Sequence, residues 1–347
     1  MRHAIAYPEG CTFLPADWTL LSDCWFPVAV ADEVMGVASA RLLDVDLVVF
    51  RGEDGSVAVA LDRCPHRGMA LSRGWTQDGR LICPYHGLHF DGLGRCTSVP
   101  SDPEGAIPEA MRLTVLPSVE CYGLVWTSLA DETPDLPRFE AWDDDAFQNI
   151  VCPTLTIAAS PGRQIEGFLD VAHFAWAHGS TFGDRTNPRV PEFAVERTET
   201  GVRACYVSNV SNYGPRQRHL APADFKWRRT FEVFPPFAAR LVVDYPDGDQ
   251  LWILNIASPV SARATKLFCP LARNFDLETP IEDVRAFNLK VFNEDRVLVE
   301  HQHPLDLPLG AGDEKHIGAD RTSIAYRRVL KRMGLTLSAR ACGRPFR

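Results

Sequence analysis

Apolar residues fall in short runs over the first third of the chain, and short runs mix with helical-period stripes after it. Arg41–Phe50 (RLLDVDLVVF) and Val57–Leu61 (VAVAL) are strand-like, and Glu53-Asp54-Gly55 between them is a hairpin signal. An apolar stretch runs from Cys24 to Val30, Leu88–Phe90 leads into an Asp91-Gly92 turn, and Leu113–Leu116 and Leu124–Leu129 complete the set. Short strands separated by Gly-rich turns predict a small all-β domain over about residues 24–130, preceded by an N-terminal arm at 1–23.

An acidic stretch with two prolines, Asp131–Asp145 (DETPDLPRFEAWDDD), marks a linker over 131–147. From 148 to 347 helix and strand signals mix, which predicts an α+β domain. Ser160-Pro161 reads as an N-cap with proline in the first turn, and the helix it opens should run through Ile165, Phe168, Leu169, Ala172 and Trp176 to a stop at Gly179. Strand-like runs follow at Arg203–Val210, Thr230–Val233, Ala239–Val243 and Leu251–Ser258. Thr279-Pro280-Ile281-Glu282 has the spacing of a capping box and starts a helix expected to reach about Gln302. A last amphipathic helix is expected over about Ser323–Met333.

Composition narrows the function classes. Hydrophobic residues make up 46% and charged residues 23%, as in a globular protein, and the net charge of −9 argues against a nucleic-acid partner. No apolar run is long enough to span a bilayer, and the opening MRHAIAYPEGCTF lacks a secretory apolar core, so a cytoplasmic location away from membranes is expected. Eight of the ten cysteines are scattered without matched spacing and read as free thiols.

Cys64-Pro65-His66 and Cys83-Pro84-Tyr85-His86 are not scattered. Each hook pairs a thiol with an imidazole, and each carries a proline directly after its cysteine to stiffen the turn. A Cys2His2 zinc finger groups its cysteines before its histidines. The order here is Cys, His, Cys, His, which suits two metals with different ligands: a Rieske [2Fe–2S] centre, one iron held by two Cys and the other by two His.

The C-x-H, sixteen-residue, C-x-x-H spacing, with its flanks RCPHRG and CPYHGLHFDGLGRC, resembles the hook pair of the aromatic-ring oxygenases, in particular the vanillate and dicamba O-demethylase and toluenesulfonate methyl-monooxygenase oxygenase components. The resemblance implies a Rieske domain followed by a helix-grip catalytic domain, an antiparallel sheet with helices. Asp170-Val171-Ala172-His173 through His178 then gains meaning. D-x-x-H-x-x-x-x-H is the pattern that this family uses, and two His with one carboxylate form the facial triad of non-haem Fe(II) enzymes. The carboxylate should come from the 281–302 helix. Val284, Phe287, Val291 and Asp295 step by three, four and four, so Asp295 shares the apolar stripe, and NEDRVLVEHQ is similar to the family's ligand segment. Glu294 is the reserve ligand; His301 and His303 read as outer or surface residues. Asp170 is assigned by the resemblance to a bridge between the iron site and His86 of the partner subunit, which implies a head-to-tail homotrimer. Relatives often carry Asn where Glu166 and Gly167 stand here.

The expected activity is that of a terminal oxygenase component with one [2Fe–2S] cluster and one mononuclear Fe(II) per subunit. It would use O2 and electrons from NAD(P)H through a separate reductase to hydroxylate a methyl group or demethylate an aromatic acid. Ring cis-dihydroxylation and a plain electron-transfer role are the alternatives. Arg216, Arg218 and His219, with Tyr213, Phe225 and Trp227 nearby, form either a pocket edge for an anionic aromatic substrate or a reductase-docking loop.

Overall fold

The computed structural model describes residues 5–130, 135–213, 218–310, 312 and 314–339, and the chain divides into two units. The first comprises residues up to Cys11 and Trp18–Leu136; the second comprises Thr12–Asp17 and Pro137 onward. The N-terminal arm contains a helix, α1 (Pro15–Ser22), without sequence periodicity to announce it.

Three antiparallel sheets build the first unit. Phe26–Val30, Leu124–Thr127 and Ser118–Cys121 form one; Val37–Leu42, Val45–Arg51, Val57–Leu61 and Val115–Leu116 form the second. The third is a small meander of Trp75–Gln77, Arg80–Ile82, His89–Phe90 and Cys96–Ser98. Both hooks spring from this framework: one after Val57–Leu61, the other between Arg80–Ile82 and His89–Phe90. Val48, Phe50, Ala60, Leu71, Leu81, Leu88 and Phe90 pack into a common core that takes in Cys64 and Cys83.

In the second unit, nine strands among the described residues form one antiparallel sheet. Its main path runs Gln148–Val151, Pro270–Arg273, Gln250–Ser261, Ala238–Asp244, Trp227–Phe234, Val202–Ser208, Ala194–Arg197, with Ala264–Phe268 and Leu155–Ile157 paired alongside. The helices α2 (Pro161–Leu169), α3 (Phe174–Ala177), α4 (Ile281–Val299) and α5 (Arg321–Arg332) accompany it. α2 packs on the Gln250–Ser261 strand and against α4. Residues 137–147, expected as linker, instead belong to this unit: Phe139 and Ala141 are buried, and Arg240 pairs with Glu140. Residues 131–134 lie outside the described residues. No helix of the described residues is long and apolar enough to cross a membrane.

Two helix expectations are corrected. The helix opened by Ser160, whose side chain does cap Arg163 N, stops at Leu169 rather than running on to residue 178. Asp170 is extended (φ −77°, ψ 124°) and its Oδ1 accepts from Ala172 N at 2.7 Å, a local bond that competes with the next helical turn. Trp176 is consequently exposed. At α4, Thr279 does not cap. Its hydroxyl bonds to the Asp276 carboxylate at 2.9 Å, and Pro280 takes the N-cap position without a side-chain bond.

Glu166 also finds its place here. Arg327 of α5 holds it through Nε at 2.5 Å and Nη2 at 2.7 Å, and Arg163 and Glu314 complete a largely buried network. It is thus directed into the helix packing. A Cβ at Gly167 would lie 3.2 Å from Val299 Cγ2, so glycine there lets α2 and α4 approach.

Candidate metal centres and active site

The two hooks share one backbone plan. Cys64 N donates to Met69 O at 2.8 Å and Gly68 N to Cys64 O at 2.9 Å; Cys83 N donates to Leu88 O and Gly87 N to Cys83 O, both at 2.9 Å. Gly68 and Gly87 close the two loops at φ +69° and +67°, where a side chain would be strained. The histidine sits two residues after the first cysteine and three after the second, yet the ring nitrogens converge, with His66 Nδ1 and His86 Nδ1 3.2 Å apart. The thiols of Cys64 and Cys83 are buried and interact directly; burial, opposed by backbone hydrogen bonding and reinforced by Cys83, pushes Cys64 up to about 11. The imidazoles lie toward the surface, with the exposed Tyr85 ring stacked on His86 at 3.9 Å between centroids. Two thiols inside and two imidazoles outside fit a cluster whose irons have different ligands.

In the second unit three donor atoms converge. His173 Nε2 and His178 Nε2 are 3.0 Å apart, and Asp295 Oδ1 lies 3.3 Å from the first and 3.2 Å from the second. His173 and His178 flank the short α3 as its N-cap and C-cap, one helical turn that brings their rings together. Asp295 arrives from α4 on the stripe of Val284, Phe287 and Val291. The opposite ring nitrogens are both tied to carboxylates. His173 Nδ1 faces Asp170 Oδ2 at 3.5 Å, and His178 Nδ1 faces Glu294 Oε2 at 2.9 Å. Glu294 also accepts from the hydroxyls of Ser180 and Thr181, the latter at 2.7 Å. It therefore stands behind His178, on the far side of the ring from the converging donors, a role that the adjacent pair Glu294-Asp295 does not disclose in sequence.

Electrostatics match a cation at this point. Burial pulls the His173 imidazole down, but hydrogen bonds and charge from Asp170 and Asp295 outweigh it and hold it at about 9. Burial pushes the Asp295 carboxyl up, and the two imidazoles bring it below the usual range. A site that draws in positive charge this way, with two imidazoles and a carboxylate on one side, fits a divalent iron with open positions.

His173, His178 and Asp295 line a cavity of about 440 Å³. Phe168, Phe174, Phe182, Phe287 and Phe292 give it an apolar wall; Asn212, Tyr213, Arg229, Tyr245 and Asn288 add polar groups. Of the expected basic loop, Arg216 and the side chain of Arg218 lie outside the described residues, while His219 is exposed. Tyr213 lines the cavity and Trp227 packs edge-on against it at 5.4 Å; Phe225 packs on Trp227. His301 and His303 are exposed, with His301 Nδ1 on Val297 O.

Comparison with known proteins agrees with this geometry. The Rieske [2Fe-2S] domain family matches residues 24–122, and the vanillate O-demethylase oxygenase C-terminal domain matches residues 157–336. Methylxanthine N1-demethylase NdmA of Pseudomonas putida is 31% identical over 319 residues, covering 89% of this chain and 88% of that protein. The vanillate O-demethylase oxygenase subunit of Pseudomonas sp. strain HR199 is 26% identical over 341 residues, covering 90% and 94%. The solved structure of Pseudomonas putida CBB5 NdmA with caffeine superposes with a TM-score of 0.80 at 31% identity, covering 91% of this chain and 92% of that one. The chain belongs to the Rieske non-haem iron oxygenases, a family of oxidoreductases that pairs a [2Fe–2S] cluster with a mononuclear iron, and within it to the oxygenase components of the N- and O-demethylases.

Proposed function

We propose that this oxygenase component removes a methyl group from oxygen or nitrogen on a small aromatic substrate, with Cys64 and Cys83 holding one iron of the cluster, His66 and His86 the other, and His173, His178 and Asp295 holding the Fe(II). The observation that carries the reading is the donor triad at the wall of the phenylalanine-lined cavity. Its size is within the ordinary range for a small-molecule site, about 300–1,000 Å³. Iron bound there would supply the activation of O2.

The protein's own part is positioning and exclusion. Phe168, Phe174, Phe182 and Phe292 keep water off the reacting carbon and leave a slot for a flat ring. Asp170 and Glu294 hold the two imidazoles with Nε2 inward. The overall balance is one O2, two electrons and two protons per methyl group. One oxygen atom enters the C–H bond, the other leaves as water, and the hydroxymethyl product parts into formaldehyde and the free hydroxyl or amine.

A separate reductase drawing on NAD(P)H would deliver the electrons. The reading includes a head-to-tail homotrimer in which Asp170 also meets His86 of the partner subunit. Its carboxylate is fixed by Ala172 N, touches His173, and is still a third exposed, so it has room for another donor. With an electron source, methoxy- and N-methyl-aromatics should give formaldehyde in step with O2 uptake. His173→Ala should abolish both and keep the Rieske EPR signal of the reduced cluster. A dihydrodiol product without formaldehyde would replace demethylation by ring dioxygenation, and an unchanged His173→Ala rate would remove the triad from catalysis.

A further inference from the structure

Arg229 is a fully buried guanidinium at the wall of the cavity, and among the described residues no carboxylate pairs with it. Its acceptors are neutral: Val210 O at 2.9 Å and Asn212 Oδ1 at 3.3 Å from Nη2, and Ser208 Oγ at 3.4 Å from Nη1. Five N–H donors meet three acceptors, two of them at long range. The contrast with Arg273 is informative. That cation lines the same cavity but faces Asp276 at 3.6 Å, the side-chain oxygen of Gln148 and Thr279 O. Arg240, also buried, is held by Glu232 and Glu140. Arg229 alone among these three is left with its charge uncompensated, which is costly in a buried site.

Its surroundings form a seat for a flat ring. The guanidinium carbon lies 5.8 Å from the Phe174 ring centroid, and that ring is 5.0 Å from His173 and 5.9 Å from His178. One phenylalanine therefore separates the cation from the metal-binding imidazoles. Tyr245, buried and accepting through its hydroxyl from Asn212 Nδ2 at 2.7 Å, and Tyr213, packed edge-on against it, line the same cavity. Acidic groups also line the cavity, but Asp276 and Asp283 are exposed and screened by solvent; Asp249 is half-buried.

Resting on the reading of this cavity as the substrate site, we propose that Arg229 binds the carboxylate of an aromatic acid substrate. Arg229 is then a specificity-determining residue, and it selects acids over the uncharged ring systems that the same apolar wall would accept. Burial, partly offset by the nearby tyrosines, lowers the guanidinium to about 10, so it stays charged at neutral pH and gains from an anionic partner.

The test is calorimetric, on the cluster-containing enzyme without reductase, with 3- and 4-methoxybenzoate, their matched carboxamides, and caffeine as probes. In the wild type the acids should bind at least about tenfold tighter than the amides, since a charge-assisted bond is lost in each amide. Arg229→Gln should erase that ratio, and Arg229→Lys should keep part of it. Amides or caffeine binding as tightly as the acids, no binding of the acids, or equal losses for acid and amide in Arg229→Gln would overturn the proposal. The wild-type ratio and Arg229→Lys decide the matter even where Arg229→Gln does not fold. Formaldehyde release is a separate readout. Its failure would refute demethylation and leave the acid preference standing, whereas failure of the preference would leave demethylation intact.

Discussion

Glu294 tests whether the site is built by its outer partners as well as by the proposed ligands His173, His178 and Asp295. In the wild type His178 Nδ1 has a carboxylate oxygen at 2.9 Å, and the residue is only 1% exposed. Glu294→Ala removes that acceptor and leaves the N–H of a buried ring without its partner. An orphaned buried donor costs about 1–3 kcal/mol. The ring can recover a partner only by turning, and turning takes Nε2 away from His173 and Asp295. Loss of such an outer partner typically lowers metal affinity about 10–100-fold, or about 1.4–2.8 kcal/mol. Glu294→Ala belongs at the upper end because the Ser180 and Thr181 hydroxyls lose their acceptor as well. Glu294→Gln keeps the shape and one acceptor oxygen but drops the charge, so about tenfold is expected.

Anaerobic titration of iron-depleted protein with Fe(II) against a competing chelator reads the effect directly, with the absorbance of the Rieske cluster as an internal control. Wild-type affinity in Glu294→Ala would refute the reasoning. A second outcome would correct it: if Asp295→Ala retains iron and Glu294→Ala loses it altogether, the two neighbouring carboxylates have exchanged roles.

Arg327→Met should destabilise the iron-free protein by about 3 kcal/mol, the lower end for breaking a buried ion pair, because Glu166 loses its two short bonds while Glu314 remains partly hydrated. The shift of the urea midpoint measures it; a cost below about 1 kcal/mol would show that the network is not strongly coupled. Gly74→Ala places a Cβ 2.0 Å from Ile82 O, directly before Cys83, so the second hook must move. The variant should lose most of its cluster absorbance while its iron titration stays normal, and a full cluster content would contradict the packing argument.

The features that were legible in the sequence are those set by local geometry. A hook closes within a handful of residues, so Cys64, His66, Cys83 and His86 announce themselves by spacing and by the prolines that follow the cysteines. Asp295 was legible through helical phase, because α4 is long and its apolar stripe runs on the same steps as the carboxylate. The 161–178 segment shows where such reasoning stops. Its apolar positions continue at helical spacing beyond Asp170, but the Asp170 side chain takes Ala172 N and the backbone turns out of the helix. The two histidines meet five residues apart at either end of a single turn, and not through a shared helix face. The Thr279 capping pattern failed for a similar reason: Asp276 offered its hydroxyl a charged acceptor three residues upstream.

An anion site depends less on how many charges stand together than on which of them loses water. Arg216, Arg218 and His219 stand together in the sequence, but Arg216 and the side chain of Arg218 lie outside the described residues, and His219 is exposed. Trp227-Arg228-Arg229-Thr230-Phe231 holds two adjacent arginines with opposite fates. The strand runs Trp227–Phe234, three residues earlier than the apolar run Thr230–Val233 suggests, and its alternation sends Arg228 outward and Arg229 inward. Extending the phase of Phe231 and Val233 back by one pleat step reaches Arg229, so the signal was present in the periodicity and was hidden by the arginine pair itself. Register supplies the rest: Arg229 stands between Tyr206 and Val243 on the neighbouring strands, where no acidic residue faces it across the sheet. The chain spends a buried, unpaired charge on that position, and such an expense is better explained by a ligand that completes the pair than by the packing of the sheet, which an apolar residue would serve at lower cost.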